Sequence, residues 1–461
     1  MRIKNQIKSN QSNNSRMVAC KHIELTDAEL ASRTRRRSTS GVINGEKPDQ
    51  PHDRHQVLRF VNCKVFKDNK LVETDLWVQN GKIIDPFYRF YNAKSAADFD
   101  ADVVIDGHGA ILSPGFIEIQ INGAFGVDFS NYDCELEDIQ SVGRNLMQYG
   151  VTSFCPTLVT SPQKKYHETL PKFVRYAGSP EKGATNLGLH LEGPFMSMEK
   201  KGAHDPKQIE APVNGFDSLL ERYGPALTEN VSYVTIAPER EGAIDAIKGL
   251  KEHGVLVSLG HSSANMEESI AGLEAGGTLV THMFNAMASF HHRDPGLVGV
   301  LGKEGYRPYY GIIADGIHSH PNSIRIAYQT FPEGLCLVTD AMAAAGLPEG
   351  RHQLGDLPVD VEGIRAVIAG TNTLAGSAVD HVTCIKNFKD FTGCSIAEVL
   401  RCATSNPAAS VNVQDRKGRL EPGMDADLVL LSEKLSVQAT FIDGELCYVR
   451  DGYTIDASTE M

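Results

Sequence analysis

The stretch 232–261, SYVTIAPEREGAIDAIKGLKEHGVLVSLGH, decides the fold. It opens on an apolar run (232–238), passes through a segment with helical spacing (242–254), and returns to a second apolar run (255–261). Continuous apolar runs of this length suit parallel strands buried on both faces, and the spacer is long enough for the crossover helix that parallel strands need. The unit recurs along the chain. Candidate strands are GFIEIQIN (115–122), TSFCPTL (152–158), LGLHLEG (187–193), GTLVTHM (277–283), YYGIIAD (309–315) and LCLVTDA (335–341), with helical stretches such as DIQSVGRNLMQYG (138–150) between them. With the opening pair they make eight βα units, which predicts an α/β fold of the (β/α)8 TIM-barrel type over 113–413. A doubly wound sheet would need a Gly-rich phosphate-binding turn after its first strand, and QINGAFG has no GxGxxG.

The flanks have a different texture. VLRFVNCKVF and LVETDLWVQNGKII near one end, and ADLVLLSE and VQATFIDGELCYVRDG near the other, read as short strands joined by turns. Asn80-Gly81 is a hairpin signal. Residues 55–112 and 414–461 are therefore expected to form one small β-sandwich domain built from both chain ends. Residues 1–54 are rich in Asn, Ser, Lys and Arg, and are expected to be a disordered extension with a solvated basic run at Arg35–Ser38. Across 461 residues, 41% are apolar, enough for a large core, and the net charge of −13 argues against nucleic acid as a partner. No apolar run approaches ~18 residues, and no signal-peptide core is present, so no membrane partner is expected. Nine scattered cysteines without a CxxC pair suit reduced thiols in a cytoplasmic protein.

Barrel active sites lie at the C-terminal ends of the strands. Here the third strand carries His190 and Glu192, the fifth ends in His261 and the sixth in His282, the seventh leads into Asp315 and His318, and the eighth ends in Asp340. A single His on an apolar strand is usually structural. Several at successive strand ends are brought together by the fold. Glu192, His261 and His282 form a His₂-carboxylate set suited to one divalent ion per chain, with zinc the first choice and cobalt, manganese or iron also compatible. Asp340 is then free to move a proton. His190 could face the same point or stand behind it.

The motifs LSPGFIEIQINGAFGVDFS, GLHLEGPF, KKGAH, VSLGHS, THMFNAM, HHRDPG, IADGIH, LVTDAM and TLAGS occur in the order seen in the N-acetylglucosamine-6-phosphate deacetylases, which this chain resembles over roughly 56–450. GRLEPGMDADLVLL (418–431) is shared more widely among amidohydrolases. The resemblance implies hydrolysis of the acetamide of N-acetyl-D-glucosamine 6-phosphate to D-glucosamine 6-phosphate and acetate, in amino-sugar catabolism. It implies metal binding by Glu192, His261 and His282, and Asp340 as general base and then acid. It places substrate at Ala203, His204, Asn285, Ala286, Arg293, the run Asp315, Gly316, Ile317 and His318, and Leu374, Ala375 and Gly376. Arg293, His318 and backbone N–H groups near Asn285–Ala286 suit a phosphate dianion. Relatives imply a homodimer, and Arg293 lies on a loop that could reach a neighbouring subunit.

Many two-metal amidohydrolases carry His-x-His on the first strand and a lysine on the fourth. This chain has Gln120-Ile121-Asn122 and TIAPE instead, which favours a single metal and counts against a cyclic-amide hydrolase. A deacetylase for the galactosamine isomer stays open, because C4 stereochemistry rests on a few contacts. A catalytically dead scaffold is disfavoured, since all four central residues are present.

Overall fold

The computed structural model describes residues 56–93, 99–354 and 357–458. The expected extension at 1–54, including Arg35–Ser38, lies outside the described residues.

Eight parallel strands form the barrel: Phe116–Ile121, Val151–Val159, Leu189–Glu192, Val231–Ile236, Leu256–Leu259, Leu279–Val280, Tyr309–Ile313 and Leu335–Val338. Each pairs with the next, and the ring closes where Ile121 bridges Ala341 just beyond the eighth strand. Each strand is buried throughout or has one partly exposed residue at an end, which is why the strands read as unbroken apolar runs. The sixth strand is shorter than its apolar run, because its chain turns at Thr281–His282 to enter the site.

The unit at 232–261 is built as its pattern predicts. Val231–Ile236 lies parallel to Leu256–Leu259, with Tyr233 opposite Leu256 and Ile236 opposite Leu259. Between them the helix Ala243–Glu252 buries Ala243, Ala246, Ile247 and Leu250, one face at i, i+3, i+4 and i+7. Truncating Leu250 to Ala would cost on the order of 2–5 kcal/mol, because the neighbouring strands cannot close the gap fully. The next helix, Met266–Ala275, starts at an Asn265–Glu268 capping box and so directs the chain cleanly away from His261.

Two antiparallel-rich sheets flank the barrel sequence. One contains Val57–Val61, Leu76–Gln79, Lys82–Ile84, Val103–Asp106 and Asp456–Ser458; the other contains Lys64–Lys67, Lys70–Glu73, Ile111–Pro114, Leu428–Leu431, Val437–Ile442 and Glu445–Val449. Both sheets draw on both chain ends, and they share a core that includes Phe60, Val65, Val78, Leu112, Leu430 and Phe441. Asn80 and Gly81 have φ of 53° and 73°, the left-handed pair that a tight hairpin requires. Asp68 and Asn69 do the same at 50° and 57° without a glycine.

One element is additional to those expected from the sequence pattern. Between the eighth strand and the helix His381–Thr392 lies a four-stranded antiparallel sheet, Gly350–Leu354, Leu357–Glu362, Arg365–Ile368 and Leu374–Ser377. Among the described residues, no helix is long and apolar enough to cross a membrane, and eight cysteines are free thiols.

Candidate active site

The strand-end residues converge. His261 Nε2 lies 3.2 Å and His282 Nε2 3.0 Å from Glu192 Oε1, and the two imidazole nitrogens are 3.1 Å apart. All three side chains are buried. A tetrahedral zinc with bonds near 2.0–2.1 Å would set its ligand atoms about 3.3 Å apart, so the spacing fits a common cation. The tautomer fits too. His261 Nδ1 lies 2.8 Å from the Lys200 carbonyl, which can only accept, so Nδ1 holds the proton and Nε2 presents its lone pair to the triad. Among the described residues this is the group of His and carboxylate side chains that could hold a metal ion.

Charge at this point is held in place by the cluster itself. Burial opposes ionisation of Glu192, but hydrogen bonds and charge from His261 and His282 bring its carboxyl well below the usual range. Burial likewise disfavours a charged His282, yet Glu192 and then Asp340 raise its pKa. The two shifts have a common cause, the close pairing of the Glu192 carboxylate with the imidazoles.

The backbone at these positions is unusual. His261, His282 and Asp340 have φ of 49°, 29° and 48°, in the left-handed region that L side chains seldom enter. Each follows the last laddered residues of its strand, so the turn swings the side chain over the barrel mouth. Such strain persists only where surroundings impose it. Around His261 the restraint is visible: Glu239 accepts from Ser262 Oγ and Ser263 N at 2.7 Å each, and the His261 carbonyl accepts from Ser197 N at 2.8 Å.

Asp340 sits beside the triad. Asn122 Nδ2 donates to its Oδ1 at 2.7 Å, and Gln120 Nε2 reaches both Asp340 Oδ1 at 3.3 Å and Glu192 Oε1 at 3.1 Å. The Gln120 and Asn122 amides thus serve as donors to the carboxylates. Burial, reinforced by the Glu192 charge, pushes the Asp340 carboxyl up to about 7 in the ion-free protein. A divalent cation on the triad would oppose both effects and restore the carboxylate.

His190 stands apart from the triad. Its Nδ1 meets Thr157 Oγ1 at 3.1 Å and its Nε2 meets Thr235 Oγ1 at 2.7 Å, while its ring stacks on Tyr233 at 4.1 Å. Both nitrogens are occupied, and burial drives its pKa down to about 3, so it is a neutral packing residue apart from the triad.

The residues expected to contact substrate fall at five places. Beside the triad, the His204 ring packs 4.7 Å from that of His261, with Nδ1 2.9 Å from Thr160 Oγ1, and Ala203 precedes it. Burial and the neighbouring His261 charge lower His204 to about 3, leaving it neutral. Beyond the sixth strand, the Asn285 amide donates to the carbonyls of His282 and Met283, and its own N–H is used by His282 O at 2.9 Å. That N–H is committed to the turn. At the seventh strand, Asp315 accepts from Ile317 N, His318 N and His318 Nδ1, the last at 2.6 Å, next to Gly316. Nδ1 of His318 is thereby the protonated nitrogen, and Nε2 is left for another partner.

Leu374, Ala375 and Gly376 lie on the last strand of the additional sheet, against the Asp340 loop. Ser377 N donates to the Asp340 carbonyl at 3.0 Å. Gly376 has φ of 66°, and a Cβ there would stand 3.0 Å from that same carbonyl, so glycine both turns the chain and permits the approach. Arg293 is different. It is exposed on the loop after the sixth strand, and its guanidinium lies 3.3 Å from His292 Nε2.

The amidohydrolase family profile matches residues 111–447. The chain is 46% identical to N-acetylglucosamine-6-phosphate deacetylase of Homo sapiens over 405 residues, spanning 86% of this chain and 97% of that protein. It is 47% identical to the same enzyme of Rattus norvegicus over 401 residues, spanning 85% and 96%. The crystal structure of N-acetylglucosamine-6-phosphate deacetylase from Pasteurella multocida matches with a TM-score of 0.74 at 29% identity, over 86% of this chain and 100% of that one.

Proposed function

The chain belongs to the N-acetylglucosamine-6-phosphate deacetylases of the amidohydrolase family, and from that premise we propose that it hydrolyses N-acetyl-D-glucosamine 6-phosphate to D-glucosamine 6-phosphate and acetate. The observation that carries the proposal is the convergence of Glu192, His261 and His282 beside Asp340. The family is metal-dependent. Here Glu192, His261 and His282 would hold one divalent ion, and two nitrogens with one carboxylate oxygen favour zinc. When bound, such an ion supplies Lewis acidity, lowering the pKa of water toward ~7 and polarising a carbonyl.

Asp340 does the proton work. Its Oδ1 takes the amides of Asn122 and Gln120, which leaves Oδ2 for the attacking water. As the water oxygen bonds to the acetyl carbon, Asp340 receives the proton. As the C–N bond breaks, it delivers that proton to the departing nitrogen, which leaves as an amine. His204, neutral and packed against His261, would donate from Nε2 toward the acetyl oxygen. His318, Arg293 and the Ala286 loop would hold the phosphate, with Ala203, Asn285, Asp315–Ile317 and Leu374–Gly376 around the sugar. Arg293 is exposed in one chain, and in a homodimer it could serve a neighbouring site.

Incubation with the sugar phosphate should release acetate and free amine in equal amounts. A strong chelator should stop the release, and added zinc should restore it. Chelator-resistant turnover, or amine without acetate, would contradict the assignment.

A further inference from the structure

Glu118 lies inside an apolar strand and is wholly buried, as are His381 and Thr339. Its carboxylate accepts three hydrogen bonds. Oε1 takes the backbone N–H of Gln120 at 2.9 Å, and Oε2 takes the backbone N–H of Thr339 at 3.0 Å and Nδ1 of His381 at 3.1 Å. These partners come from the first strand, the end of the eighth strand, and the first turn of the helix His381–Thr392.

The position matters because this is the seam of the barrel. Between the first and eighth strands the backbone pairing comes late: Asp340 N donates to Gln120 O at 2.9 Å and Asn122 N to Ala341 O at 2.7 Å. One step earlier, a side chain replaces the ladder, and that side chain is Glu118. It grips Gln120, whose amide orients both Asp340 and Glu192, and Thr339, the residue before Asp340. Asp340 itself has a left-handed φ of 48°, which an unsupported chain would not keep. His381 supplies the third donor from outside the barrel. A cavity of about 20 Å³, lined by Glu118, Thr339, Asp380 and His381 among others, adjoins the pair, enough for a single water. His381 Nε2 is buried without a protein partner.

We propose that Glu118, braced by His381, is a positioning residue that locks the barrel seam and thereby sets the orientation of Asp340. The proposal rests on Asp340 as the proton carrier, but it concerns geometry two residues removed from the metal-binding set. Only a carboxylate satisfies three converging N–H groups, since an amide of the same shape turns its NH₂ toward at least one of them.

The test compares Glu118→Gln, His381→Phe and His381→Asn for kcat, KM and bound zinc. Asn offers an N–H close to the place of Nδ1, whereas Phe keeps the ring and removes the donor. Glu118→Gln and His381→Phe should lose about 10–100-fold in kcat, the usual effect of removing a supporting hydrogen bond at such a site, with KM and zinc content within about twofold of wild type. His381→Asn should recover most of the loss. If Glu118→Gln does not fold, the two His381 variants decide. The proposal is overturned if kcat stays within about twofold of wild type in the folded variants, if its loss tracks loss of zinc or a rise in KM, or if His381→Asn is as impaired as His381→Phe. Loss of the deacetylation reading itself would show differently, as no acetate release by the wild type.

Discussion

Asp340→Asn should keep its zinc and its affinity for the sugar phosphate while kcat falls by ~10²–10⁴-fold, the range for general acid–base catalysis, or further because one group serves twice. The amide is nearly the same shape and can still accept from Asn122, so the pocket should survive. What it lacks is a site for the water's proton. Without that transfer the addition reverses, because an unprotonated amine leaves poorly. His261 and His282 are turned to Glu192, and His318 is tied through Nδ1 to Asp315, so these three imidazoles are not expected to take over the transfer.

The same variant has a second signature. Burial raises the Asp340 carboxyl to about 7 from an ordinary value near 3.8. In the ion-free protein the folded state therefore binds a proton that the unfolded chain releases between about pH 4 and 7. Stability contributed by the protonated acid is present below pH 4 and lost as pH rises through 7. Asn does not ionise. Ion-free Asp340→Asn should melt above the ion-free wild type at pH 8, and the gap should close toward pH 4. An equal melting temperature at pH 8 together with near-normal kcat in the zinc-loaded variant would require another proton carrier.

His282→Ala should be the other severe variant. It removes one of the three proposed ligands and leaves Glu192 with His261 as its remaining imidazole partner. A two-ligand remnant cannot hold zinc against a chelator, and activity should vanish with it. Metal analysis should read about one equivalent in the wild type and near zero in the variant, for a site with three protein ligands. Two equivalents in the wild type would contradict the single-ion reading, because Gln120 and Asn122 are already bonded to carboxylates as donors.

Much of this site is legible in the amino-acid sequence. Parallel strands buried on both faces write themselves as apolar runs, and a barrel gathers their C-terminal ends. Glu192, His261, His282 and Asp340 can therefore be placed together from order alone. His190 cannot be settled that way. It shares its strand face with Glu192, and only the threonines on the second and fourth strands show that its nitrogens are taken. Gln120 and Asn122 read in the sequence as absent ligands, and their role as donors depends on distances across the barrel. Glu118 stands alone as a charge in an apolar run, and none of its partners but Gln120 is near it in sequence. The sheet spanning 350–377 gives little signal because its strands are short and mix buried apolar residues such as Val359 and Ala366 with polar, exposed ones, with Arg351 paired to Asp360 across the hairpin. Its last strand nevertheless reaches the Asp340 loop, so the LAGS motif is placed at the site by resemblance rather than by pattern.

The most direct measurement is kcat/KM for acetate release from N-acetylglucosamine 6-phosphate, its 4-epimer and the unphosphorylated sugar, each with wild type and Arg293→Ala. The wild type should prefer the phosphorylated gluco sugar over both others. Arg293→Ala should lose on the order of 1.5–3 kcal/mol on the phosphorylated sugars, mostly in KM, and almost nothing on the unphosphorylated one. Equal wild-type activity with and without the phosphate, or a preference for the 4-epimer, would contradict the account.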